Sequence, residues 1–492
     1  MKLIAKTQNY SLFLVSNKSE YFLRLVSHRS QNSSDHFHVF VNIDGVRTKS
    51  SVCAENIESI AEEFLRAGPT LAFDMSWVKN EFSLLDDPAT VLHQNTRQEN
   101  SYTATGAKLN HHWPIFKKLA DTGYGSVIRA TMTLHQRCSS RCAFCSTINR
   151  SNADSISLEE AIHFVDTLYF GQAKYNQVFH PNYNQLYQEV TGSPIRLRSL
   201  ILSGGGQPNL WPHFEDFVEY LSGLDIDLGL ITNGFPSNVS DSAYSHFKWV
   251  RLSVTPPEAS PHYENGRFES QYLPQSLFDE ELAFGLSYVY GPWAEENIYG
   301  RLDNFAVEKN LKYVRLLTDC NLPRTRHLES HRHLAQKLLS EGLIDSSGRP
   351  TSKIFHQLKY HMSSGEAEQL WPSGTCFLQS YNVFWDTTGH DVAGHSYCYP
   401  CDSVTVLAGE NEGFADSPER GFNPDKWGTV TNLHVSNLYD QPWQSFFDPR
   451  KNCHACLFSK NNSAVRDLVH SYSEDPHHSV EVDYSLEHVN FP

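Results

Sequence analysis

The cysteines are the feature that most limits what this chain can fold into. Eight of the ten fall into two groups, one ending at Cys145 and the other beginning at Cys376. Ten cysteines in 492 residues are too few for a disulfide scaffold. We therefore expect thiol-based metal sites in a chain of roughly two to four domains.

Composition excludes several classes of partner. The chain has 40 Lys and Arg against 56 Asp and Glu, a formal charge of −16. A surface of this sign repels phosphate backbones and anionic lipid. No apolar run reaches the length of a membrane span, and the first residues, MKLIAKTQNYSLFLVSN, lack the apolar core of a secretory signal. We expect a cytoplasmic protein with no nucleic-acid or membrane partner.

Composition and periodicity change along the chain and divide it into four regions. They are a β-rich accessory region at 1–120, alternating strands and helices at 126–335, a module rich in Cys, Gly and aromatic residues at 365–460, and a polar, weakly packed tail at 461–492. In the first region we place strands at Ser11–Val15, Tyr21–Val26 and His36–Ile43. An apolar stripe at helical spacing then predicts a helix over residues 57–65.

Residues 126–335 predict a parallel sheet. We place six strands at Val127–Leu134, Leu200–Leu202, Leu228–Thr232, Val250–Val254, Phe284–Tyr290 and Tyr313–Leu317. Amphipathic helices separate them, one opened by the capping box Ser157-Leu-Glu-Glu160. The predicted fold is α/β, a partial (β/α)6 barrel of parallel strands with its chemistry at the C-terminal strand ends. Gly171–Pro194 is predicted to be a surface insertion.

The first cysteine group, Cys138-Ser-Ser-Arg-Cys142-Ala-Phe-Cys145, follows the first of these strands. Three thiolates on a short loop can hold three corners of an iron–sulfur cube. A structural zinc site usually takes four protein ligands, and no fourth Cys or His has suitable local spacing. The spacing favours a cluster with one iron left open for chemistry.

The same residues resemble the hallmark of the radical S-adenosylmethionine (radical SAM) enzymes, CxxxCxΦC with Φ aromatic. Further segments resemble that family in the same order at later strand ends. They are Ser203-Gly204-Gly205-Gly206-Gln207-Pro208, with Gln207 where the family has Glu; Ile231-Thr-Asn233-Gly234; Val250-Arg-Leu-Ser253; His262 with Arg267; and Tyr288–Asn297.

The resemblance implies a 4Fe–4S cluster on Cys138, Cys142 and Cys145 that cleaves S-adenosylmethionine to a 5′-deoxyadenosyl radical. It also implies a reductant such as flavodoxin or ferredoxin. Residues that match its cofactor-binding positions are Phe144, Gly204, Gly205, Gly206, Gln207, Asn233, Ser253 and Arg267.

The second cysteine group consists of Cys376, Cys398-Tyr-Pro-Cys401 and Cys453-His-Ala-Cys456. Two CxxC pairs also describe a zinc ribbon, but the gap of about fifty residues is long for one and leaves Cys376 without a role. The pattern resembles the twitch or SPASM domain of radical SAM enzymes, which implies a second 4Fe–4S cluster. Cys376, Cys453 and Cys456 are its ligand candidates, with Cys398 or Cys401 completing the set.

Several other residues were weighed as site candidates. Cys53 and Cys320 are expected to be buried thiols. Cys320 follows Asp319 at the end of the sixth strand and is also a candidate catalytic residue. The pairs His111-His112 and His477-His478 are predicted to lie on the surface.

The resemblance implies an enzyme that abstracts a substrate hydrogen atom. The expected net reaction is oxidation or cross-linking of a peptide side chain, as in the maturation of ribosomally made peptides. One alternative is a dehydrogenase or epimerase of a small sugar-like molecule. Another, from a different class, is a non-catalytic iron–sulfur electron carrier or sensor.

Overall fold

The computed structural model describes residues 2–6, 10–17, 20–27, 36–43, 46–53, 105–145, 147, 153–235, 239–260, 264–270, 282–319, 324–345, 350–357, 375–390, 393–402, 430–442 and 458–492. The predicted helix at 57–65 lies outside these residues, as do His262, Cys320, Cys453 and Cys456. The chain divides into two compact units, and the boundary falls after Asn95.

The smaller unit contains a five-stranded antiparallel meander. Its strands are β1 (Lys2–Lys6), β2 (Tyr10–Asn17), β3 (Glu20–Ser27), β4 (His36–Ile43) and β5 (Val46–Cys53), paired in sequence order. The three predicted strands correspond to β2, β3 and β4. The edge strands β1 and β5 were not predicted. Successive strands pair because short turns bring antiparallel neighbours together.

The larger unit is built on a ten-stranded sheet. Its strands are β6 (Arg129–Thr133), β7 (Ser199–Ser203), β8 (Asp227–Thr232), β9 (Phe247–Val254), β10 (Ala283–Tyr290), β11 (Tyr313–Thr318), β12 (Ile354–Gln357), β13 (Asn382–His390), β14 (Ser396–Tyr399) and β15 (Val430–Thr431). Their order is β12-β11-β10-β9-β8-β7-β6-β13-β14-β15.

The strands from β6 to β12 are all parallel, which confirms the predicted parallel sheet and all six of its strands. Sequence analysis missed β12, a seventh parallel strand at one edge. On the other side of β6, β13 pairs in parallel with it, and β14 returns antiparallel to β13. The first part of the Cys-rich module therefore extends the same sheet.

Helices connect these strands and cover the sheet. They are α1 (Thr105–His111), α2 (Trp113–Thr122), α3 (Leu158–Asp166), α4 (Gln172–Phe179), α5 (Pro181–Thr191), α6 (Phe214–Ser222), α7 (Asp241–Tyr244), α8 (Ile298–Glu308), α9 (Arg324–Ser340), α10 (Asn437–Asp440) and α11 (Ser459–Glu474). In the described chain, no helix is long and apolar enough to cross a membrane. The predicted capping box begins α3: Glu160 N donates to Ser157 Oγ at 3.2 Å, and Ser157 N donates to Glu160 Oε2 at 2.9 Å.

The two faces of the parallel sheet differ in burial. One face is fully buried, with Met132, Leu202 and Leu230 at 0% exposure. The other, which we call the inner face, carries Arg129, Ile201, Ile231, Arg251, Ser253 and Arg315, and many of its residues are only half-buried. Because alternate residues of a strand point to opposite faces, this pattern means that solvent reaches the inner face.

Two predictions of exposed segments are wrong, those for His111-His112 and for the tail, and a third holds only in part. Gly171–Pro194 forms α4 and α5 and lies at the surface as predicted, with Val178 and Phe179 exposed, but it buries Gln172, Asn176 and Tyr187 completely. The polar side chains are tolerated because they are paired: Asn176 Oδ1 accepts from Lys118 Nζ at 2.8 Å, and Gln172 Oε1 accepts from Val127 N at 2.8 Å.

The histidine pair is buried as well, because the C-terminal segment packs over it. Burial lowers the pKa of His112 to about 3. Its neutral ring therefore accepts from Tyr187 Oη at 2.8 Å through Nδ1 and donates to Val489 O at 3.1 Å through Nε2. The tail is not weakly packed: α11 buries Val465 and Tyr472, and residues 489–492 contact the N-terminal ends of β6 to β8. His477 is exposed, as predicted.

Candidate active site

The first cysteine group forms a loop at the C-terminal edge of β6. Two backbone hydrogen bonds fix this loop. Within it, Cys145 N donates to Cys142 O at 3.0 Å, and Arg141 N donates to Ala259 O, a distant residue in the sequence, at 3.2 Å. The thiols of Cys138, Cys142 and Cys145 are all half-buried. The loop therefore presents its three sulfur atoms where the prediction expects chemistry, at the C-terminal end of a parallel strand.

The glycine segment after β7 packs directly against this loop. Gln207 N donates to Arg137 O at 2.8 Å, and Gly206 N donates to His135 O at 3.2 Å. A Cβ atom on Gly206 would lie 2.3 Å from Arg137 O and 2.6 Å from His135 O, which are both backbone atoms. Glycine is required here because two backbone segments touch.

Polar side chains join the ends of β6, β7 and β8. Ser139 Oγ contacts Gln207 Oε1 at 2.9 Å and Phe235 O at 2.7 Å. Asn233 Nδ2 donates to Ser140 Oγ at 3.0 Å and lies 3.9 Å from Cys138 Sγ. Two residues that the sequence predicted separately, Gln207 and Asn233, thus meet on the cysteine loop.

The remaining predicted residues differ in placement. Phe144 packs against Trp293, with ring centroids 5.3 Å apart, and Trp293 Nε1 donates to Val289 O at 2.9 Å. Ser253 is half-buried on the inner face. Arg267 is largely exposed and pairs with Glu269 at 3.6 Å.

The residues of this site fit an iron–sulfur cluster with an amino-acid-like ligand. Among the described residues, no three His, Cys, Asp or Glu side chains converge as a metal site. Three thiols on one partly exposed loop are, however, the donor set that such clusters take. Opposite them, Gln207 is 2% exposed, and its Nε2 has no hydrogen-bond partner among the residues that the structure describes. Buried polar groups are normally paired, so this amide suits a polar ligand beside the loop.

The second cysteine group is split by the structure. Cys376 and Cys401 belong to one buried cluster that also contains Tyr381. Cys398 is fully buried between Tyr397 and Tyr399, outside that cluster, and is paired across the sheet with Trp385. Tyr397 and Tyr399, on either side of Cys398, belong to the cluster of Cys376 and Cys401. Because alternate residues of a strand point to opposite faces, Cys398 points away from that cluster. Burial raises the pKa of the Cys376 thiol to about 11 and that of the Cys398 thiol further still.

Sequence reasoning missed one link between the two cysteine groups. Gln136, just before the first cysteine, donates through Nε2 to Asp386 Oδ1 and to Thr387 Oγ1, both at 2.8 Å. Asp386 and Thr387 lie on β13 and are buried. No local pattern marks Gln136, since its partners are about 250 positions away.

No protein-family model matches the chain, and no curated protein matches it. Its fold is similar to that of Streptococcus suis SuiB bound to the precursor peptide SuiA, with 12% identity over 70% of this chain and 74% of SuiB and a TM-score of 0.42. It is also similar to anSMEcpe with bound AdoMet and the Cp18Cys peptide (14% identity, 72% and 92% covered, TM-score 0.35) and to BtrN with AdoMet and 2-DOIA (11%, 68% and 88%, 0.30). Likenesses this distant assign no reaction to the chain.

Proposed function

We propose that this chain is a radical SAM enzyme that oxidises or cross-links a side chain of a peptide. The observation that carries the proposal is the cysteine loop, Cys138 to Cys145, which lies at the C-terminal edge of a parallel sheet and packs against the Gly204–Gln207 segment. Cys138, Cys142 and Cys145 would hold a 4Fe–4S cluster, which with S-adenosylmethionine would supply the radical chemistry for hydrogen-atom abstraction.

The chain's own residues would hold and shield this chemistry. Gly206 keeps the glycine segment in contact with the loop, and Asn233 fixes Ser140 and lies beside Cys138 Sγ. Phe144 and Trp293 cover one flank of the loop with aromatic surface. Covering matters because a reactive intermediate must be kept from water and from other hydrogen donors.

We further propose a second iron–sulfur cluster in the Cys-rich module. Its ligands would be Cys376, Cys401, Cys453 and Cys456, because Cys376 and Cys401 share one buried cluster and Cys398 does not. The hydrogen bonds from Gln136 to β13 couple this module to the first loop. An auxiliary cluster in this module would suit an electron acceptor, which favours a net oxidation.

A peptide is favoured as substrate by the N-terminal meander. Its edge strands β1 and β5 each leave one side unpaired within that sheet. Extended peptides bind proteins by adding a strand at such an edge. A flavodoxin or ferredoxin is the expected reductant.

The proposal is tested on anaerobically reconstituted protein incubated with dithionite and S-adenosylmethionine. We expect 5′-deoxyadenosine to form, and Cys138→Ala to abolish it. Cys398→Ala is the matched control, since it removes a thiol that we assign to neither cluster, and it should retain product formation. Absence of 5′-deoxyadenosine from the wild type, or its persistence in Cys138→Ala, would contradict the proposal and favour an electron carrier or sensor.

A further inference from the structure

The inner face of the sheet carries an unusual concentration of positive charge for a chain with a net charge of −16. Arg129 on β6, Arg251 on β9 and Arg315 on β11 all point to this face. The sign is opposite to that of the molecule as a whole. Arg129 Nη1 donates to Pro492 O, so the guanidinium groups of Arg251 and Arg315 remain to be explained.

Strand register places Arg251 and Arg315 close together. Gly285 of β10 pairs with Arg251 on one side, and the next inner-face residue, Ser287, pairs with Arg315 on the other. The two arginines are therefore two strands apart and one pleat apart, about 10 Å across and 7 Å along the sheet at the backbone. Gly285 has no side chain between them, and two long side chains can converge over that distance.

Arg251 is held in place from both sides. Its Nε donates to Tyr313 Oη at 3.2 Å, and its guanidinium lies 5.3 Å from the centroid of the Trp249 ring. Trp249 and Tyr313 in turn lie over glycines, since a Cβ on Gly229 or Gly285 would come within 2.4 Å of their rings. These contacts leave the terminal nitrogens of Arg251 without a carboxylate partner in the described chain.

Arg315 is buried and has no partner among the residues that the structure describes. It is 8% exposed, its Nε makes no hydrogen bond, and it forms no ion pair. Burial, followed by the charge of Arg251, lowers its pKa, and Tyr313 and Asp402 act in the opposite direction. A buried guanidinium without a partner is costly, and such groups are normally paired with an anion.

The surroundings limit where an anion can lie. Ile201, Trp249, Ala283 and Phe491 form an apolar floor at the N-terminal end of the inner face. Arg315 stands three residues before the end of β11, about 10 Å below the edge where the cysteine loop lies. A molecule that enters from that edge would reach the arginines with its far end and keep its other end near the cysteines.

We propose that Arg251 and Arg315 bind a carboxylate of the substrate, so that the accepted peptide carries an acidic side chain next to the residue that reacts. This inference rests on the proposed function, because it takes the bound molecule to be the substrate of that reaction. Planar guanidinium groups match carboxylates in geometry and charge. The carboxylate would supply the partner that Arg315 lacks among the residues that the structure describes.

The test uses the reconstituted full chain with S-adenosylmethionine and isothermal titration calorimetry. The probes are N-acetyl-glutamate amide and N-acetyl-glutamine amide, which differ in charge and hardly in shape, and inorganic phosphate. We expect the glutamate probe to bind at least about tenfold more tightly than the glutamine probe. The reason is that a charge-assisted hydrogen bond is stronger than a neutral one by about the free energy of a tenfold change in affinity.

Arg315→Met should weaken binding of the glutamate probe about tenfold or more, and Arg315→Lys should restore part of it. Arg466→Met, on the exposed side of α11, is the matched control and should leave binding unchanged. Arg315→Met should remain folded, because replacing a buried, unpaired charge by an apolar side chain is often neutral or stabilising. If it does not, Arg251→Met is measured instead.

The proposal is overturned if both amide probes bind equally, if neither binds the wild type at millimolar concentration, or if the arginine variants bind like the wild type. Tighter binding of phosphate than of the glutamate probe overturns the assignment to a carboxylate. Formation of 5′-deoxyadenosine is measured in parallel on the same samples. Its absence from every sample contradicts the proposed function and leaves the difference in probe binding as an independent result.

Discussion

Replacing Gly206 by alanine tests the contact that holds the glycine segment against the cysteine loop. The added methyl carbon would lie 2.3 Å from Arg137 O, whereas real Cβ atoms do not approach other atoms within 3.0 Å. The obstructing atoms belong to the backbone of residues 135–137, so no side-chain rotation relieves the clash. The backbone that leads into Cys138 must therefore move.

The size of the effect follows from this geometry. The loop has to move by at least about 0.7 Å, and overpacking of this kind costs about 1–3 kcal/mol. A displacement near 1 Å at an active site lowers rates by about a hundredfold. We expect Gly206→Ala to lower the rate of 5′-deoxyadenosine formation by one to two orders of magnitude and to lower the free energy of unfolding by about 1–3 kcal/mol.

The assay combines quantification of 5′-deoxyadenosine with urea denaturation and iron analysis of the same preparations. Gly223→Ala is the matched control, because a Cβ there meets only Tyr220 O at 3.5 Å, an ordinary contact, and φ is −76°. The control should behave like the wild type. Wild-type activity and stability in Gly206→Ala would refute the contact between the glycine segment and the loop.

Three further outcomes are expected. In protein without Cys138, Cys142 and Cys145, Cys401→Ser should lose the second cluster's irons, about four in number, whereas Cys398→Ser should keep them. Iron and sulfide analysis measures this. Equal loss in both variants, or stoichiometric zinc, would contradict the assignment. Burial lowers the pKa of Lys118 to about 7 in the folded protein, against about 10.4 in the unfolded chain. Between these pH values the unfolded chain binds a proton that the folded protein does not, so the free energy of unfolding should rise with pH across this window. In denaturation experiments, the free energy of unfolding of Lys118→Met should rise less with pH than that of the wild type. The same pH dependence in both proteins would contradict this prediction. Gln207→Glu should tighten S-adenosylmethionine binding about tenfold in equilibrium dialysis, because a carboxylate can pair with the ligand's ammonium group; weaker binding would contradict this.

Local patterns were enough to predict most of the parallel sheet. Each of the six predicted strands is a short apolar run between turn residues or helix signals, and such runs do not depend on distant partners. The capping box at Ser157 is equally local, since both of its hydrogen bonds lie within four residues. The short strand β12 escaped because four residues carry too little periodicity to be recognised.

Polar composition misled the prediction where burial is compensated by pairing. Gln172 and Asn176 look like surface residues, yet hydrogen bonds to Val127 and Lys118 satisfy them inside the molecule. The polar tail was misread for the same reason, because its backbone carbonyls accept from Lys108 and His112. Pairing between residues that are dozens to hundreds of positions apart leaves no trace in a local pattern.

The sequence by itself determined which residues are candidates for a metal site, because the spacing of Cys138, Cys142 and Cys145 is a pattern contained within eight residues. Only the tertiary structure decided that β13 joins the sheet beside β6, where Gln136 links it to the cysteine loop. Only the tertiary structure, too, placed Cys401 in a buried cluster that leaves out Cys398. It also decided that Arg251 and Arg315 share one face. Both results depend on strand pairing and register between distant segments, and a shift of one residue would send each side chain to the opposite face.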